Sequence, residues 1–183
     1  MTPRRLRQRQ QIRSPVKGSP AASIDRLIEN NRRYAASFRK GDLPPAPSGR
    51  VAIVTCMDAR LDPTRFLGLE EGEAHVIRNA GGSAREALRS LVISQMLLGT
   101  REVAVVKHTD CGMLGITNRG IYEKIERDLG VDAGGIDFLP SRGLEDAVRD
   151  DVHFLRSSAL IGGAVAIRGF IYDVKSGRVS ELA

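Results

Sequence analysis

The sequence predicts an α/β fold: a mostly parallel central sheet of four strands, a short antiparallel edge strand, and helices on both faces. Three observations carry this reading. The β-branched runs Val51-Ala52-Ile53-Val54-Thr55 and Val103-Ala104-Val105-Val106 have the length and composition of buried strands. Elsewhere the apolar spacing switches to the helical period, as in Leu144, Val148, Val152 and Leu155. Finally, an apolar run at 164–173, a Lys175-Ser176-Gly177 turn and a short run at 178–182 have the pattern of a hairpin.

The elements follow in order. Residues 1–22 are rich in Pro, Gln, Arg and Ser and read as an unstructured tail, leaving 23–183 as a single domain. A helix is expected over about 23–40, with Ser23 as N-cap and Ile24, Leu27, Ile28, Tyr34 and Phe38 as a partial apolar stripe. Gly41 and the Pro44-Pro45-Ala46-Pro47 run stop it. The first strand takes 51–55, a short helix 63–68 and the second strand 74–78. Asn79-Ala80-Gly81-Gly82 is a tight turn. Ser83 and Glu86 have capping-box spacing ahead of a helix over 84–98, with Leu88, Leu91, Val92, Met96 and Leu98 facing inward and Gly99 stopping it. A strand at 103–107, a helix over 118–129, a loop-rich stretch to Gly143 and a helix over 144–157 lead to the closing hairpin.

Composition excludes several classes. Hydrophobic residues make up 42% of the 183 positions. No apolar run approaches the roughly 18 residues of a membrane span, so no membrane partner is expected. The net charge of +6 looks like a nucleic-acid signal. However, residues 1–24 carry Arg4, Arg5, Arg7, Arg9, Arg13 and Lys17 without an acid, so the remainder is close to neutral and no nucleic acid is expected. Two cysteines cannot build a disulfide framework. Thiols kept reduced to bind metal suit a cytoplasmic setting.

Both cysteines sit in short polar constellations directly after a strand. Cys56 opens Cys56-Met57-Asp58-Ala59-Arg60, and Cys111 closes His108-Thr109-Asp110-Cys111. Two thiols and an imidazole at strand ends are the soft donors of a zinc site with three protein ligands, which leaves one position open, as catalytic zinc requires. His108 and Cys111 are close enough on one loop to chelate one ion, and a parallel sheet can bring Cys56 beside them. Asp58 and Arg60, two apart past a strand end, suit a charge-assisted pair that keeps the carboxylate ionised. Asp58 is then either a hydrogen-bond acceptor for the nucleophile or, if unpaired, a plug in the fourth position.

At these residues the chain resembles the β-class carbonic anhydrases. The resemblance rests on Cys56-x-Asp58-x-Arg60, Arg78-Asn79-Ala80-Gly81 and His108-x-x-Cys111-Gly112. It extends more weakly through 84–98 and Arg168-Gly169-Phe170-Ile171-Tyr172-Asp173. It implies one zinc per chain, held by Cys56, His108 and Cys111, with Asp58 and Arg60 as the catalytic dyad. It further implies reversible hydration of carbon dioxide by hydroxide at the zinc, and a homodimer or higher homo-oligomer. Some bacterial members bind inhibitory bicarbonate in a pocket that uses a tryptophan; this chain has none, so that pocket is not expected. The short sequence also resembles a compact subgroup that includes carbonyl sulfide hydrolases, so hydrolysis of carbonyl sulfide or carbon disulfide is the second expectation. A third, from another class, is a non-catalytic zinc or redox module whose basic tail binds an acidic partner.

Other polar residues have simpler readings. His75, in a strand, reads as a hydrogen-bonded structural histidine. His153, beside Val152 with Asp150 and Asp151 near, reads as a solvated surface residue. Gly81 and Gly82 lie near the cleft; a turn needing positive φ or close backbone packing explains them better than an anion cradle.

Overall fold

The computed structural model of the protein describes residues 20–183. Most of the expected tail, 1–19, lies outside the described residues. The chain divides into two compact units, one ending at Leu43 and the other spanning Pro44–Ala183.

In the first unit, α1 (Pro20–Ser37) begins three residues before the expected start, so Ser23 lies in its first turn and is not its N-cap. Pro20 suits a first helical position because its φ is pre-set and its missing N–H has no intrahelical partner there. Ala21 and Ala22 are the best helix formers. The helix ends at Ser37 and not at 40, where Phe38 N–H closes a tight turn onto Ala35 O at 3.3 Å.

The second unit carries the sheet. Its strands are β1 (Val51–Cys56), β2 (Ala74–Asn79), β3 (Glu102–His108), β4 (Ala166–Tyr172) and β5 (Val179–Glu181). The spatial order is β2-β1-β3-β4-β5. β1 to β4 pair in parallel and β5 is antiparallel to β4, as expected. The helices are α2 (Pro63–Leu67), α3 (Ala84–Leu98), α4 (Asn118–Leu129) and α5 (Leu144–Ser157), each within a residue of its expected span.

The strand order has a functional consequence. From β1 the chain steps to β2 on one side, then crosses back over β1 to β3 on the other. The gap between the carboxyl ends of β1 and β3 is therefore the switch point, where open α/β sheets place their ligands. Right-handed crossovers put α2 on the face opposite α3 and α5. Ala52, Val54, Val103, Val105 and Ile167 face α3 and α5 through Ala87, Leu91, Val148, Val152 and Leu155, all buried. On the other face, Phe66 of α2 stacks on Tyr172 of β4 with ring centroids 4.2 Å apart.

Three local expectations change. Met96 is 70% exposed, and Ser94 takes the inward position instead. Ser94 Oγ lies 2.7 Å from His75 Nδ1 and 2.6 Å from Thr100 Oγ1. This gives His75 the structural role expected of it, while His153 is exposed as expected. The capping box is one-sided: Ser83 Oγ accepts from Glu86 N–H, but Ser83 N–H donates to Asn79 Oδ1 at 2.6 Å and not to Glu86. Asp151 is buried, not beside solvent with His153.

Candidate metal centre

Each ladder runs one residue further than the β-branched pattern, so Cys56 and His108 are themselves the last residues of β1 and β3. Because these strands are neighbours, the two side chains meet. Asp110, at φ +56°, turns the chain just before Cys111, and Leu114 N–H closes a turn onto Cys111 O at 3.1 Å. Cys56 Sγ lies 4.0 Å from Cys111 Sγ. The donor atoms of Cys56, His108 and Cys111 all lie within 4.8 Å of one another. Tetrahedral zinc with S and N ligands needs separations of roughly 3.5–3.8 Å, so the observed set is close to that shape.

The imidazole is prepared for a metal. His108 is 1% exposed. Its Nδ1 donates to Thr109 O at 2.9 Å, which fixes the tautomer and leaves a lone pair on Nε2. Nε2 is buried and has no hydrogen-bond partner among the described residues. A buried polar atom in that condition normally needs a ligand. The Cys111 thiol carries a related signal. Burial pushes the Cys111 thiol above its ordinary range; a Met113 backbone hydrogen bond opposes this and charge on nearby Cys56 adds to it. A cation held beside Cys111 would favour its thiolate, the form that binds metal.

Asp58 and Arg60 pair as expected. Arg60 donates from Nε to Asp58 Oδ1 at 3.0 Å, from Nη2 to Oδ2 at 2.7 Å and from its backbone N–H to Oδ1 at 2.9 Å. These bonds, the side-chain one foremost, hold the Asp58 carboxyl far below the usual carboxylate range. Asp58 Oδ2 is 3.9 Å from His108 Nε2, which puts the carboxylate at the edge of the Cys56–His108–Cys111 cluster.

Gly82 sits at φ +61°, where a Cβ would lie 2.8 Å from Thr55 C and 2.9 Å from Cys56 N. Gly81 sits at φ +70° against Met113. Both therefore serve backbone conformation and close packing next to Cys56. Their carbonyls point at a cation, since Lys107 Nζ donates to Gly81 O and Gly82 O, each at 2.9 Å.

Four residues that sequence reasoning gave no role hold this arrangement. Arg78 donates to Cys56 O at 3.0 Å and to Asp58 O at 2.7 Å. Lys107, buried, also bonds Asp151 Oδ2 at 2.5 Å, and the same oxygen accepts from Ala84 N–H at 3.0 Å. Asp110 Oδ2 accepts from Arg60 Nη1 at 2.6 Å. Signals for them existed. A lysine inside the buried run 103–108 needs a partner, and Asp151 sits three residues after Val148 on the apolar stripe of α5.

Comparison with known proteins identifies the family. The chain is 43% identical over 159 residues to beta-carbonic anhydrase 1 of Mycobacterium tuberculosis, covering 86% of this chain and 96% of that one. The chain belongs to the β-carbonic anhydrase family. The carbonic anhydrase family model matches residues 51–129, which contain all three candidate ligands and the Asp58–Arg60 pair. The solved structure of the Streptococcus mutans carbonic anhydrase superposes with a TM-score of 0.84 at 48% identity, covering 87% of this chain and 97% of that one. A carbon disulfide hydrolase of Acidianus sp. is 31% identical over 182 residues, covering 86% of this chain and 88% of that one. The relatives thus carry two names, carbonic anhydrase and carbon disulfide hydrolase.

Proposed function

We propose that residues 23–183 form a zinc-dependent carbonate dehydratase, interconverting carbon dioxide and water with bicarbonate and a proton. The observation that carries this reading is the buried, unpartnered His108 Nε2 facing two thiols, with an ionised carboxylate beside it. One zinc per chain would be held by Cys56, His108 and Cys111, with Asp58 and Arg60 as the catalytic dyad. Zinc bound there would act as a Lewis acid that lowers the pKa of a water; because two thiolates cancel the charge of the ion, hydroxide would be supplied in mildly alkaline solution.

The protein's own residues do the rest. The Thr109 carbonyl holds the His108 ring in one tautomer and one orientation. Arg60 fixes the Asp58 rotamer with two side-chain bonds, so that Oδ2 faces the cluster as an ionised acceptor. Held there, Asp58 accepts a hydrogen bond from the attacking water and turns its lone pair toward the carbon of the gas. Arg78 keeps the Cys56–Asp58 main chain from shifting during turnover.

We place the enzyme in the cytoplasm as a homodimer or larger homo-oligomer, by analogy with the family; among the described residues no helix is long and apolar enough to cross a membrane. Zinc stoichiometry and stopped-flow carbon dioxide hydration test the activity. One zinc per chain with no hydration at alkaline pH would overturn it. The Acidianus relative favours a second reading, hydrolysis of carbonyl sulfide or carbon disulfide at the same centre. Sulfide release from either gas, without carbon dioxide hydration, would establish that reading instead.

A further inference from the structure

We infer that Asp110 is a positioning residue that keeps the Asp58 carboxylate out of the metal's open coordination position, by anchoring Arg60 from the opposite loop. This rests on the metal-site reading above. Asp58 and Arg60 belong to the loop after β1; Asp110 belongs to the loop after β3, between His108 and Cys111. Arg60 joins the two. Its Nε and Nη2 hold Asp58 along one edge, while Nη1 bonds Asp110 Oδ2 at 2.6 Å and Nη2 also bonds Asp110 O at 2.9 Å. The two carboxylates use different N–H groups, so Asp110 does not draw donors away from Asp58.

The restraint matters because Asp58 is close to being a ligand. Its Oδ2 stands 3.9 Å from His108 Nε2. Neighbouring N and O ligands of tetrahedral zinc are roughly 3.4 Å apart, so a small rotation separates the helper from the plug. Arg60 opposes that rotation only if its own guanidinium is held. Its side chain is 47% exposed, and apart from Asp58, two residues away, its anchors among the described residues are both on Asp110. Asp110 itself is set for this task at φ +56°, a left-handed conformation that aspartate tolerates better than most residues.

The left-handed backbone dictates the variants. Asp110→Asn keeps the conformation and an acceptor oxygen but removes the charge. Asp110→Gly keeps the conformation and removes the side chain. Alanine would strain the Cys111 loop and is avoided.

The test is an azide titration of the full-length, cobalt(II)-loaded protein, followed by its visible absorption, with each substitution made in both the native and the Asp58→Ala backgrounds. Azide takes the open position and competes with Asp58 for it. With Asp58 present, azide should bind about two- to fivefold more weakly in Asp110→Asn, the range expected for loss of an exposed ion pair, and at least as weakly in Asp110→Gly. In the Asp58→Ala background neither substitution should weaken azide. That background keeps the direct effect of the Asp110 charge on an anion, so the difference between backgrounds isolates the gating. Equal changes in both backgrounds, or tighter azide binding with Asp58 present, would overturn the inference while leaving the metal site standing. Failure of the unsubstituted protein to take up cobalt would overturn the metal-site reading and this inference with it.

Discussion

Lys107→Met is the sharpest test of how the metal centre is held. The Lys107 and Asp151 side chains are 6% and 11% exposed, so the ion pair between them is almost fully removed from water. Replacing the ammonium by a thioether of similar length keeps the volume and removes the charge. Among the described residues Asp151 then keeps only Ala84 N–H as a donor in the interior, and the Gly81 and Gly82 carbonyls lose theirs. Breaking one partner of such a pair costs about 3–5 kcal/mol. For a chain of this size that corresponds to a fall in melting temperature of about 6–20 °C. Urea unfolding at fixed protein concentration, with and without saturating zinc, measures it. The turn at 80–82 lies against Thr55 and Cys56, so zinc retention should fall as well. Adding Asp151→Leu to Lys107→Met should recover at least about 1 kcal/mol, because no buried charge is then left unpaired. A loss below about 1 kcal/mol for the single variant, or strict additivity in the double, would refute the claim that this pair braces the site.

Three further outcomes are expected. Gly82→Ala should destabilise by at least about 2 kcal/mol and release zinc, since it combines a left-handed φ with overlap on the Thr55–Cys56 peptide; thermal melts and metal analysis check both. Asp58→Ala should keep zinc but lower hydration roughly 10- to 100-fold, read by stopped flow, and a native rate would show that the dyad is only structural. Stability should fall in acid: the folded pKa values of Asp58, Asp62 and Asp137 lie below the ordinary 3.8, so the unfolded chain binds more protons. Their contribution is complete above about pH 5 and is lost as the pH drops through 4 and below, which a melting series across that window would show.

The candidate ligands are legible in the sequence because metal chemistry restricts residue type, and strand ends restrict place. Cys56, His108 and Cys111 meet both conditions in the sequence alone. The fold was legible for a similar reason: buried parallel strands leave long apolar runs, and turns leave glycines. What escaped was decided by partners far along the chain. Asp151 looked like a solvated neighbour of His153, because only the packing of α5 against β3 shows that it faces Lys107. Met96 fitted the apolar stripe of α3, yet Ser94 is inside, since His75 and Thr100 offer its hydroxyl two bonds there. Asp110 had no role in the sequence reading, because its contact with Arg60 spans two loops with no periodic pattern.

These long-range contacts share one physical logic. Parallel strands that stop at a functional edge leave main-chain carbonyls without ladder partners, and such groups must be satisfied. Here three cations do it. Arg78 takes Cys56 O and Asp58 O, Lys107 takes Gly81 O and Gly82 O, and Arg60 takes Asp110 O. Each lies beside a candidate ligand and none is itself a ligand. The loops are thereby fixed without secondary structure of their own, and the two thiols stand 4.0 Å apart as a consequence of folding. Assembly of the site is then charged to the fold and not to metal binding. That is why the cation network, more than the ligand set, should set how firmly the metal is kept and how freely Asp58 can move.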